Sequence, residues 1–161
     1  MDLRNTSEAE LLSIATGFRR AMELVDFSDD GNLEGFPKEC CHHAAKLLGI
    51  RLQGLGYSGF CVIHAHHEAD VRREHAWLCS QDLIIDITAD QFGDDIPAVI
   101  VTRDSAWHRQ WEVEPQSSIL VTESQCRLWL ENWYRSRFAK IAAVLSSPAE
   151  ANHAADRDRP T

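Results

Sequence analysis

No run of apolar residues in the chain approaches the ~18 needed to cross a bilayer as a helix, and no basic segment leads into an apolar stretch near residue 1. The expectation is a cytoplasmic protein with no membrane contact. Basic charge is also scarce: 16 Lys and Arg against 25 Asp and Glu leave a net charge of −9. Nucleic acid and anionic lipid are polyanions, so neither is expected as a partner. The five cysteines are odd in number, Cys40 and Cys41 are adjacent, and Cys61, Cys79 and Cys126 lie inside apolar segments. That pattern suits reduced thiols better than a disulfide framework. Neither C-x-x-C nor H-E-x-x-H occurs, and there is no internal repeat.

What is present is 161 residues with 44% hydrophobic content, enough for one core and short for two. One domain over residues 1–146 is expected. Residues 147–161 carry Ala, Asp and Pro but no large apolar side chain, and read as a disordered tail. Ser7 and Glu10 have capping-box form before an apolar stripe, giving a helix over 7–26, and a loop follows to Pro37. Cys41, Ala44, Ala45 and Leu48 predict a central buried helix from about Cys40 to Gln53. Gly59 to Ala65 reads as a strand and HHEADVRRE as a charged loop. Ala98 to Thr102 and Ile119 to Val121 read as further strands, and Thr122 to Leu145 as one helix opened by a second capping box. Asp104 to Pro115, with Trp107, His108 and Trp111, reads as a packed loop or a short extra strand.

The stretch EHAWLCSQDLIIDITADQF, residues 74–92, reads as two short strands, His75 to Cys79 and Asp82 to Thr88, joined at Ser80-Gln81. A two-residue loop there makes partner numbers sum to 161 and sets His75 directly opposite Asp86. Directly opposed residues share a face. Asp86 interrupts the apolar run LIIDIT, and a buried carboxylate is costly without a partner, which His75 would be. A cysteine at a helix N-terminus completes the set, because free N–H groups and the helix dipole favour a thiolate. Cys41 is preferred to Cys40, since it shares a helical face with Ala45 and Leu48. The competing reading makes Cys41 a small buried apolar residue.

The pieces FPKECCHHAAKLL, HAWL and LIIDITADQF, over roughly Phe36 to Phe92, resemble the papain-like and transglutaminase-like cysteine superfamily, in particular its small bacterial members. The resemblance implies an α+β fold in which a central helix carrying the Cys packs on an antiparallel sheet, with flanking N- and C-terminal helices. It also implies a Cys41–His75–Asp86 triad working on an amide or thioester of a peptide or protein, as a protease, deamidase, transglutaminase or acyltransferase does. Cys40, His42, Trp77 and Gln91 are the candidates for substrate contact or oxyanion support. Two departures from that pattern are Glu39, where Gly is usual, and His42-His43 after the Cys. No cofactor and no metal are expected. An inactive interaction module of the same fold is the second reading. A zinc domain is the third, since His42, His43, His64, His66, His67 and His75 with the two cysteines could supply ligands, although at no recognised spacing.

Overall fold

Each segment of helical period becomes a helix in the computed structural model, which describes residues 7–147. All but the first residue of the stretch expected as a disordered tail lies outside the described residues. Helix α1 (Glu8–Leu24) starts at Ser7, whose hydroxyl accepts the Ala9 N–H, and buries Leu11, Ala15, Phe18 and Met22. Helix α2 (Cys41–Gly54) is the central element, with Ala44, Ala45, Leu47, Leu48, Ile50 and Leu52 all buried. The expected single C-terminal helix is two, α3 (Glu123–Glu131) and α4 (Tyr134–Leu145), broken at Asn132. Thr122 caps α3 by accepting the Gln125 N–H.

Six antiparallel strands form one sheet: β1 (Cys61–His67), β2 (Asp70–Ser80), β3 (Leu83–Asp86), β4 (Ile100–Thr102), β5 (Trp111–Val113) and β6 (Ile119–Leu120). The strand order is β4-β3-β2-β1-β5, with β6 pairing β1 beyond β5. The α+β class, with a central helix on an antiparallel sheet, is therefore the architecture observed. HHEADVRRE is mostly strand and not loop: β1 runs to His67, and β2 restarts at Asp70 across a bulge. Length explains the difference, because β1 pairing carries β2 out past the apolar residues that mark it in the sequence.

The β2–β3 register also differs from expectation. Ser80 pairs with Leu83, Cys79 with Ile84 and Leu78 with Ile85, so the loop is Gln81-Asp82 and not Ser80-Gln81. Gln81 takes a positive φ of 56°, as the first loop residue of a type II′ turn does. His75 is thus two places from the residue facing Asp86, and not opposite it. A shift of two preserves the face, because side chains alternate with a period of two.

The alternation sorts the sheet into two faces. Val62, Leu78, Leu83 and Ile85 meet α1 and α2 in the main core. Ile63, Ala65, Trp77, Cys79 and Ile84 lie on the other face with Trp107 and Trp111, which come from the segment expected as a packed loop or short extra strand. His75 and Asp86 belong to this second face by their spacing from Trp77 and Ile84.

Candidate active site

Strand β3 pairs with β2 only over Leu78 to Ser80, then leaves the sheet after Asp86 and turns into a 3-10 helix, Ala89–Phe92. The departure is anchored from α1. Arg19 donates twice to Asp90, at 2.9 Å to each carboxylate oxygen, and once to the Ile87 carbonyl at 2.6 Å. The bidentate pair fixes the 3-10 helix beside the edge of β2 that β3 has vacated. Gln91 on that helix approaches His75 Nδ1 with its amide nitrogen at 3.5 Å and accepts the Glu39 N–H at 3.2 Å with its oxygen. One side chain therefore ties the loop before Cys41 to the strand that carries His75.

Glu39 itself has a φ of 58°, a left-handed backbone that non-glycine residues seldom adopt. Glu39 thus takes a backbone conformation that glycine adopts most readily. Two residues later α2 begins with no side-chain cap and no acidic residue in its first turn. Its first N–H groups have no helical acceptor, a setting that suits an anion.

Asp86 and His75 are each 1% exposed. His75 Nε2 donates to Asp86 Oδ2 at 2.6 Å, while Oδ1 accepts the Thr88 N–H at 2.8 Å. Burial would push the Asp86 carboxyl up, but the His75 charge and the hydrogen bonds from His108 and His75 hold it well below the usual carboxylate range. Burial likewise works against a charged His75. The Asp86 charge and hydrogen bond, with a smaller contribution from the nearby Cys41 sulfur, outweigh it and raise the imidazole to about 9. Cys41, half-buried, lies near enough to His75 to bear on its charge, beside the pair that His75 forms with Asp86.

No family model, curated protein or solved structure matches the chain significantly. The chemistry has to be read from the side chains themselves.

Of the supporting candidates, Gln91 and Trp77 are at the site. The Trp77 ring is 5.5 Å from that of His75, and Phe92, Trp107 and Trp111 stand 5.0–5.5 Å away on other sides. This aromatic wall keeps water from the ion pair. Cys40 is different: its side chain is buried and burial pushes its thiol up to about 12, so it offers no thiolate. His42 turns to the α2 face of the sheet, where its ring packs 4.3 Å from His64. Neither joins His75.

Sequence reasoning missed His108, which donates from Nε2 to the same Asp86 oxygen at 3.1 Å. His75, Asp86 and His108 are also the one group of three possible ligands within 4.8 Å of one another among the described residues. The two ring N–H groups and Thr88 already occupy the carboxylate, and all three residues are buried. The arrangement is a hydrogen-bond network. A groove of about 870 Å³ lies elsewhere, between α2, α3 and α4 over Ile50, Leu130 and Phe138. No helix among the described residues is long and apolar enough to cross a membrane.

Proposed function

We propose that the protein is a cysteine-dependent hydrolase or acyltransferase of papain-like or transglutaminase-like type, acting on an amide or thioester of a peptide or protein. The observation that carries this reading is the buried His75–Asp86 pair at 2.6 Å with Cys41 near enough to bear on the His75 charge. A histidine held as imidazolium is the counter-ion a thiolate needs and the acid a leaving group needs.

In the first step Cys41 Sγ attacks the acyl carbon and a C–S bond forms. The negative oxygen is met by the free N–H groups at the start of α2. His75 gives its proton to the departing nitrogen or sulfur as that bond breaks. Water or an amine then attacks the thioester, His75 takes the proton from it, and Cys41 is released. Asp86 keeps the ring oriented throughout and remains ionised.

The test uses a small activated acyl donor, p-nitrophenyl acetate. The expected result is a burst of nitrophenol with one acetyl group found on Cys41 by mass spectrometry, both lost in Cys41→Ala and His75→Ala. An acetyl group spread over other residues, or a burst that survives Cys41→Ala, overturns the reading.

The separation of the large groove from Cys41 favours a second reading, an interaction module that keeps the fold without catalysis. It predicts that Asp86 and His75 substitutions alter stability alone.

A further inference from the structure

Asp86 carries two imidazoles on one oxygen. His75 donates from one side at 2.6 Å and His108 from the other at 3.1 Å, and His108 is only 5% exposed. An ionised carboxylate is an acceptor only, so both facing ring nitrogens bear hydrogen. In its neutral form His108 then has a bare Nδ1, which lies 2.7 Å from the Ser105 hydroxyl. Ser105 also accepts the His108 backbone N–H at 3.2 Å, so its oxygen is placed by the chain and its hydrogen is free to point at the ring. The His108 ring is held between Trp77 at 4.9 Å and Trp107 at 4.7 Å. Nothing in this packing requires a polar ring; the position is built for donation to Asp86.

We infer that His108 is a positioning residue: with its tautomer fixed by Ser105, it shares the Asp86 charge with His75 and so sets how strongly His75 holds its proton. The inference rests on the proposed triad for its catalytic meaning and on hydrogen bonds alone for its physical content. An acceptor oxygen serving two donors binds each less strongly than it would bind one. Taking His108 away therefore concentrates Asp86 on His75. The charged or titratable groups around this chain are Cys41 near His75, Arg73 over the Phe92 and Trp111 rings, and Cys79, Arg103 and Arg109 on a cavity of about 250 Å³ that ends on His108. None of them lies between the two imidazoles and Asp86.

The experiment is an NMR titration of the His75 ring nitrogens in the full chain, with the rate of Cys41 alkylation by iodoacetamide measured on the same samples. His108→Leu and Ser105→Ala should each raise the pH at which His75 loses its proton by about half a unit or more. His108→Gln, whose amide can keep a donor on Asp86, should return it toward the parent value. A His75 titration unmoved in folded His108→Leu and Ser105→Ala overturns the inference. If His108→Leu does not fold, His108→Phe decides, because it keeps a ring between Trp77 and Trp107 and removes the donor to Asp86. A His75 that moves as expected beside an unreactive Cys41 supports the inference and counts against the proposed chemistry. A reactive Cys41 beside an unmoved His75 does the reverse.

Discussion

Two sets of histidines, one buried and one half-buried, lie on opposite faces of one sheet and are driven in opposite directions. On the face covered by Trp107 and Trp111, His75 is held protonated. On the α2 face, burial pushes His42 down to about 3 and also lowers His43 and His64, with the Lys46 charge adding to each. The His42 Nδ1 atom has no partner among the described residues. Both sets are desolvated, so burial does not decide the charge. Asp86 does: one carboxylate within 2.6 Å turns the site with the greater burial into the charged one.

Removing that carboxylate should have the largest effect. Asp86→Ala leaves two imidazoles without an acceptor and should cost about 3–5 kcal/mol in urea unfolding, with His75 then titrating below its ordinary value as His42 does. A loss under about 1 kcal/mol would mean that the pair is not desolvated.

The pH dependence of stability separates the two sets next. His75 is raised on folding, so its contribution is complete below about pH 6.5 and is lost as pH climbs toward about 9. His42 is lowered on folding, so its contribution is complete above about pH 6.5 and is lost as pH falls toward about 3. Urea midpoints should therefore peak near neutral pH. Asp86→Asn should flatten the alkaline limb and, because His75 then falls below its ordinary value, steepen the acid limb.

A smaller effect tests how Cys41 is presented. Glu39→Gly removes the cost of a left-handed backbone and should stabilise the fold by about 1 kcal/mol, read from the thermal midpoint. The smallest belongs to the neutral set. Lys46→Met, which keeps the aliphatic stem, should raise the titrations of His42, His43 and His64 by tenths of a unit and leave His75 where it was. Equal movement of His75 would show the two faces to be coupled.

The shared face of His75 and Asp86 was legible because Asp86 breaks an apolar strand and strand parity survives a register shift of two. The shift itself was hidden, since neither Ser80-Gln81 nor Gln81-Asp82 is a favoured turn pair and a positive φ at Gln81 leaves no mark in the sequence. Cys41 was legible as a helix start. The roof over the site was not: His108 meets Asp86 from 22 residues away, out of a segment with no period. The break at Asn132 escaped for a related reason, because Trp129, Trp133 and Ile141 keep helical spacing across it. Gln91 could be named as the polar amide nearest the hairpin, but its grip on Glu39 spans 52 residues and needed the fold.

Alkylation of Cys41 by iodoacetamide, followed by peptide mass spectrometry from about pH 5 to about pH 9, tests the central claim most directly. The paired arrangement predicts that Cys41 reacts well ahead of a free thiol near neutral pH, and that His75→Ala and Asp86→Ala both slow it by tenfold or more. A Cys41 that reacts at the same rate with or without His75 would contradict the pairing on which the proposed chemistry depends.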